Sequence, residues 1–475
     1  MPEPAPDTLL RPRGPEPAPR PMFNKLLIAN RGEVAVRIAR TAREMGITCV
    51  GVASDADRAA SWLEAMDEVV AIGGSAPRES YLDAARVLQA GVQTACTAVH
   101  PGWGFLAENP RFAALAVQHG MTFVGPPAAV MARLGTKLPS KAAFRAAGLP
   151  GIPGSDHALE TANEALAVAE EIGFPVMIKA DAGGGGRGIR RCADASEVHE
   201  HFAAASAEAE AAFGDGSLFV EKCIDGGRHV EVQIVCDALG GAIHIGERDC
   251  SVQRNHQKLV EESPCPLLSQ DERERVGAAA ATAASSIGYL GAGTIEFLRA
   301  PNGELYFMEM NARLQVEHPV SEMISGIDLV RLQLEVAANR PLSITQADVR
   351  LEGCAIECRI NAEDPSEGFR PTPGVLETFD FPLDIGPGTL RFDTHLRAGD
   401  EITPDYDSLL GKLIAHAPTR AEAIETMLAA LAAARVEGVS TTIPLHRAVL
   451  SSDDFRAGNY DTTTIPGWSL AESKS

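Results

Sequence analysis

Residues 293–320, GTIEFLRAPNGELYFMEMNARLQVEHPV, constrain the fold more tightly than any other stretch of the chain. Asn302-Gly303 stands between two apolar runs. That arrangement is the strongest short-range signal for an antiparallel hairpin, with Pro301 beside it able to distort the turn. A two-residue loop there pairs Pro301 with Glu304, and counting back sets Glu296 opposite Glu309. Opposed residues in a hairpin hold their Cβ atoms about 4.5–5.5 Å apart. Two carboxylates at that distance, among apolar neighbours, ask for a cation or a shared proton. Strand parity continued past Glu309 puts Asn311, Arg313, Gln315 and Glu317 on its face, and Met310, Ala312, Leu314 and Val316 on the other. Alternation alone also fits a solvated strand face. The opposed acids, mixed with amide and Arg, favour a metal site, and oxygen ligands suit Mg2+ or Mn2+ bridging a carboxylate to a nucleotide phosphate.

A second constraint is KADAGGGGRG, Lys179 to Gly188, directly after the apolar strand FPVMIKA. Glycines after a strand leave backbone N–H groups open for phosphate, but a flexible loop has the same composition. No glycine turn in the chain ends in Lys followed by Ser or Thr, so a P-loop is excluded and any nucleotide is held on another scaffold. Upstream of the hairpin, ERDCSVQRNHQK places His256 and Lys258 on one side of an extended segment, where they can contact anions; each also has an ordinary structural or solvated reading.

The chain has 475 residues and a formal net charge of −22, which argues against broad attraction to nucleic acid or an anionic membrane. An anionic ligand therefore needs a local cationic pocket. Nine cysteines without a CxxC pair support neither a zinc ribbon nor a disulfide framework, and point to a reducing compartment. No stretch has the length and apolarity of a membrane helix, and the N-terminus lacks a hydrophobic signal region, so the expected location is cytoplasmic.

Residues 1–21 are Pro-rich without apolar period and read as a disordered tail. KLLIAN, GEVAVRIARTAREMG and ITCVGVA then form a βαβ opening without GxGxxG, in a first domain spanning 22–134. A second domain, 135–344, contains a mobile lid at about 151–223 built around the glycine run. From GRHVEVQIVCD onward strands dominate, with antiparallel pairing expected. A third domain covers 345–475.

The ordered motifs IANRGEVAVRI, HPGWGFLAEN, GGGGRGI, RHVEVQI, ERDCSVQRNHQK, EFL…YFMEMNARLQVEHPVSEMISGIDLV and CRINAEDP resemble those of the biotin carboxylase family of ATP-grasp ligases, from Met22 through essentially the whole chain. The resemblance implies an α/β fold: ATP-grasp with a Rossmann-like N-terminal domain, a mobile lid and a mixed α+β C-terminal domain. It implies formation of carboxybiotin from biotin, bicarbonate and ATP with Mg2+ or Mn2+. On the matching positions, Lys137, Lys179, Gly185, Gly186, Glu221, Lys222, Cys223, Ile224, His229, Gln253 and His256 would hold ATP. Glu296, Glu309 and Asn311 would hold metal. Lys258, Arg313 and the Val316 backbone would hold bicarbonate, with Gln315 nearby. Glu317 matches the general base, and Arg359 the residue that steadies the biotin enolate-like oxygen. An ion pair of Arg359 with Glu357 or Asp364 is its structural alternative.

Three stretches depart from the family pattern. Asp181-Ala182 stand where Ser-Gly is common, Cys223 replaces a usual Tyr, and FRPTPG replaces FLPSPG. These bear on nucleotide affinity more than on reaction type. No Lys flanked by Met, as in AMKM, occurs, so biotin is expected on a separate biotin carboxyl carrier protein, with carboxyltransferase subunits as further partners. The resemblance further implies a homodimer in a multi-subunit enzyme, acetyl-CoA carboxylase of fatty acid biosynthesis being the first candidate. The alternatives are an ATP-grasp ligase for another carboxylate and a catalytically silent nucleotide-binding scaffold.

Overall fold

A computed structural model describes residues 23–182 and 188–469. The tail 1–21 and Gly185 and Gly186 of the glycine run lie outside the described residues.

The βαβ opening forms as the periodicity requires. β1 (Lys25–Ile28) and β2 (Thr48–Ser54) are parallel, joined by α1 (Gly32–Glu44). Val34, Ala35, Ile38, Ala39 and Ala42, spaced three or four apart, form the buried stripe of α1. Gly46, with φ of +74°, supplies the left-handed residue that ends it. With β3 (Glu68–Gly73), α2 (Ala84–Gln93), β4 (Ala98–His100), α3 (Pro110–Gln118) and β5 (Thr122–Phe123) the chain completes a five-stranded parallel sheet, ordered β3-β2-β1-β4-β5. This is the Rossmann-like layer.

Helices α4 (Ala128–Leu134) and α5 (Lys137–Ala146) lead to a small unit with its own core. There α6 (Ala162–Ile172) and α7 (Ala195–Phe213) cover a three-stranded antiparallel sheet of β6 (Val176–Ala180), β7 (Arg190–Cys192) and β8 (Leu218–Lys222), ordered β7-β6-β8. Val176, Ile178, Val198, Phe202, Leu218 and Val220 fill the space between.

An eight-stranded antiparallel sheet follows: β9 (Arg228–Cys236), β10 (Ala242–Arg254), β11 (Gln257–Ser263), β12 (Gly291–Arg299), β13 (Leu305–Asn311), β14 (Cys354–Asn361) and the strands Leu409–Ala417 and Thr389–Thr394. Its order is β13-β12-β9-β10-β11-β14 followed by those last two. Pairing of β11 with β14 makes the sheet continuous across position 345.

The hairpin differs from the expected turn. Pro301 does not pair with Glu304, because without an N–H it cannot serve the ladder. Ala300 donates to the Glu304 carbonyl instead, and Pro301, Asn302 and Gly303 form a three-residue loop, with Gly303 at φ of +91°. That moves Phe297 opposite Phe307. A register shift beyond it then inserts Met308 as an extra residue, so that Glu296 does face Glu309. The loop and the bulge displace the count by one residue each, in opposite directions.

The strand also stops at Asn311 rather than continuing to Glu317. The Ala312 N–H turns away to Glu108 Oε1 at 3.0 Å, and residues 312–317 form an irregular loop before a helix beginning at His318. Met310, Ala312, Leu314 and Val316 are nonetheless buried.

Candidate functional site

Between the three-stranded sheet, the exposed ends of the large sheet and the segment after β14 lies a cavity of about 740 Å³. Every sequence-assigned site residue among the described ones lines it, except Glu317, which is fully buried behind two of the lining side chains.

The floor is one face of the large sheet. Glu231 on β9 pairs in register with Glu296 on β12, and Glu296 with Glu309 on β13, so three carboxylates stand in one row. His229, two residues before Glu231, shares the face, its Nε2 at 3.4 Å from both Glu231 and Glu296. Lys258 reaches this face through a second irregularity: β10 and β11 pair Val252 with Val260 but Gln253 with Lys258, leaving Leu259 extra and shifting the alternation by one. His256 is not on an extended segment as expected; it sits in the tight turn between these strands at φ of +63°. It still lines the cavity, with Gln253 beside it.

Lys258 Nζ lies 2.6 Å from Glu231, 3.2 Å from Glu296 and 2.5 Å from Glu317. Burial lowers its proton affinity, but the three carboxylates more than offset this and hold it well above the usual lysine value. Arg359 on β14 donates to Glu261 at 2.6 Å and to Glu317 at 2.8 Å, not to Glu357 or Asp364. Burial pushes Glu317 up, yet Lys258 and Arg359 outweigh it, so the carboxyl stays below its ordinary value and is ionised at neutral pH. Glu231 behaves likewise through Lys258 and Arg248. Arg248 lies wholly buried beneath, its guanidinium bonded to Glu231, Gln233, Ser321 and Thr294.

The two opposed acids are differentiated by their partners. Lys137, at 2.8 Å, lowers Glu309 to about 2. Burial raises Glu296 even though Lys258 and His229 oppose it. Asn311 donates to Glu296 at 2.7 Å and accepts from Arg313 at 3.0 Å, while Glu309 stands opposite Glu296 on the neighbouring strand, so the three candidate metal ligands share one face of the hairpin. Their oxygens form a hard donor set that fits Mg2+ or Mn2+. Arg313 also holds Gln315 Oε1 at 3.1 Å and Glu108 at 2.9 Å. The Val316 carbonyl accepts from buried Lys412, which bridges to Glu33 at 3.0 Å.

On the opposite wall, Lys179 pairs with Glu221 at 2.7 Å across adjacent strands. Lys222 is turned to the carbonyls of Gly173 and Phe174, Cys223 donates through Sγ to Asp225, and Ile224 supplies apolar lining. Asp181, at the base of the glycine run, accepts from the Leu138 N–H at 2.7 Å. It caps α5, whose own Thr136 makes no side-chain cap bond, and so fixes the turn that carries Lys137.

Sequence reasoning passed over Glu231, Arg248, Glu261 and Lys141. Glu231 was legible in principle, since it shares parity with His229 in RHVEVQI. Glu261 and Arg248 were not, because their role depends on which strands become neighbours. Lys141 reaches Glu221 from α5, across a separate element.

Three family models match the chain in order: "Biotin carboxylase, N-terminal domain" at 22–131, "Carbamoyl-phosphate synthase L chain, ATP binding domain" at 137–345 and "Biotin carboxylase C-terminal domain" at 357–467. Biotin carboxylase 1, chloroplastic, of Populus trichocarpa is 48% identical over 93% of this chain and 83% of its own length. Biotin carboxylase 1 of Bacillus subtilis is 47% identical over 95% of this chain and all of its own. Among solved structures, the biotin carboxylase domain dimer of Hydrogenobacter thermophilus 2-oxoglutarate carboxylase, in complex with MgADP, ADP and bicarbonate, superposes with a TM-score of 0.89 at 45% identity, covering 93% of this chain and 97% of that one.

Proposed function

The chain belongs to the biotin carboxylase family, and we propose that its cavity performs the ATP-dependent carboxylation of biotin with bicarbonate. The observation that carries this reading is the Lys258–Glu317–Arg359 cluster at the end of the carboxylate row: a buried, ionised carboxylate clasped by two cations, next to Arg313. An anion the size of bicarbonate can be gripped by Lys258 and Arg313 while Glu317 accepts its proton. As Lys258 turns to the substrate its hold on Glu317 weakens, which raises the basicity of Glu317 at the moment it is needed. Attack of the deprotonated bicarbonate oxygen on the γ-phosphorus of ATP expels ADP and forms carboxyphosphate; its breakdown gives CO2 and phosphate. Biotin, having lost its ureido proton to phosphate, attacks CO2, and Arg359 stabilises the ureido oxygen in this reading.

In this reading Lys137, Lys179, Glu221 to Ile224, His229, Gln253 and His256 hold ATP. Glu296, Glu309 and Asn311 hold the divalent metal, which when bound neutralises phosphate charge. Biotin arrives on a carrier protein, and the enzyme works as a homodimer with carboxyltransferase subunits. For the acceptor we favour acetyl-CoA. Curated relatives at 47–48% identity bear the plain name biotin carboxylase, while solved neighbours at 45% and 47% belong to a 2-oxoglutarate carboxylase and a pyruvate carboxylase.

ADP release with MgATP and bicarbonate, with and without free biotin and then with a biotinylated carrier, tests the reaction. Biotin-stimulated turnover supports it. ATP binding without stimulation by either form of biotin overturns it. Supplying the carboxyltransferase subunits purified with the chain, and comparing acetyl-CoA with pyruvate and 2-oxoglutarate, tests the acceptor.

A further inference from the structure

The loop 312–317 carries Arg313, Gln315, Val316 and Glu317, yet it has no place in the large sheet that supports His229, Lys258, Glu296, Glu309, Asn311 and Arg359. Its geometry must be imposed from outside. Glu108, from the N-terminal unit, makes two bonds to its start: Oε1 accepts the Ala312 N–H at 3.0 Å, and Oε2 accepts Arg313 Nε at 2.9 Å. The first bond diverts the chain from the sheet at the residue after Asn311. The second uses the guanidinium edge nearest the backbone, so the two terminal nitrogens remain directed at Asn311, Gln315 and the Leu314 carbonyl. Arg313 lines the cavity and Glu108 does not.

We propose that Glu108 is the positioning residue for Arg313: it sets the chain direction at Ala312 and the rotamer of the guanidinium, and thereby aligns the bicarbonate-holding edge of the site. The inference rests on the assignment of Arg313 to bicarbonate. Glu108 is well suited to be recognised as such, because its side chain is 42% exposed. An ion pair that open to water contributes little to stability, so a purely structural role leaves both folding and kinetics almost unchanged on its removal. A positioning role separates the two. The bidentate geometry is specific to a carboxylate: a glutamine in its place keeps the length and one acceptor but turns an amide NH2 toward either the Ala312 N–H or the guanidinium.

The test is steady-state kinetics of E108Q, E108D and R313K, with thermal melting of each. E108Q is expected to raise the KM for bicarbonate about 10-fold, the effect of weakening one charge-assisted contact. The KM for MgATP and the melting temperature should stay near wild type. E108D, which keeps the charge but shortens the reach, should recover part of the loss. Unchanged bicarbonate KM in E108Q overturns the positioning role, as does an equal rise in both KM values. R313K distinguishes the two levels. If R313K leaves the bicarbonate KM unchanged, the assignment of Arg313 fails and Glu108 falls with it; if R313K raises it while E108Q does not, only the positioning inference is lost.

Discussion

Replacing Lys258 with Met keeps the aliphatic stem and removes the charge that three buried carboxylates share. Glu231, Glu261, Glu296 and Glu317 face Lys258, Arg248 and Arg359, so four acids stand against three permanent cations, with His229 adjacent. Glu231 keeps Arg248 and Glu317 keeps Arg359 after the change, but Lys258 is the cation common to Glu231, Glu296 and Glu317. Removing one partner of a buried ion pair costs roughly 3–5 kcal/mol. The loss is expected to depend on pH. Glu317 lies below its ordinary value in the native protein, so it contributes stability above the unfolded carboxylate pKa, and that contribution disappears as pH falls through the folded pKa. Without Lys258 its folded pKa moves up, and the variant carries a penalty that protonation relieves. Urea unfolding at pH 8.0 and pH 5.5 should therefore show a deficit at least about twofold larger at the higher pH, together with loss of bicarbonate-dependent ADP release. A deficit below about 1 kcal/mol at pH 8.0, or one equal at the two pH values, would refute the claim that Lys258 holds Glu231 and Glu317 ionised.

Three other substitutions probe separate parts of the site. E296Q should lower turnover at least about 100-fold and raise the Mn2+ concentration for half-saturation about 10-fold; Mn2+ titration by electron paramagnetic resonance in the presence of ATP checks it, and unchanged turnover would remove Glu296 from the metal set. D181A deletes the cap on α5, a contact of about 1 kcal/mol. The expected result is a rise of about fivefold in the KM for MgATP with bicarbonate unaffected, while an unchanged nucleotide KM would show that Lys137 needs no such support. E357Q concerns a carboxyl whose two buried oxygens have no hydrogen-bond partner among the described residues and which burial, with neighbouring Glu261 adding to it, raises well above its ordinary value. A raised acid costs stability increasingly as pH climbs past the unfolded value, so the variant should melt higher than wild type at pH 8 and equal to it near pH 4.5; a pH-independent difference would contradict the neutral state inferred for Glu357.

The hairpin shows how far the sequence could be read. Apolar runs on either side of Asn302-Gly303 specified two antiparallel strands, and parity specified which carboxylates share a face. The count that opposed Glu296 to Glu309 reached the right pair although its turn was one residue too short, because the bulge at Met308 restored the register. Neither departure has a local signature strong enough to overrule Asn-Gly. Similarly, Lys258 was singled out for its charge, but its place among the carboxylates depends on the extra residue Leu259, which strand alternation alone would not reveal. His256 went the other way: an extended reading gave way to a turn, since two successive residues at positive φ close β10 onto β11.

By itself the sequence determined the elements and the chemistry available to them. Periodicity gave the βαβ opening, the apolar strands and the acidic hairpin; residue type gave oxygen donors, guanidinium groups and lysines; and the ordered motifs gave the family resemblance. Those are local properties, set by 2.0- and 3.6-residue spacing and by what each side chain can donate or accept. Tertiary structure alone decided which charges meet. Glu231, Lys258, Glu296, Glu317 and Arg359 come from four different strands and a loop, and whether a carboxylate among them is ionised depends on burial and on cations supplied from far along the chain. Coulomb interactions in a dry interior act through space and not along the backbone, so no spacing within one segment encodes them.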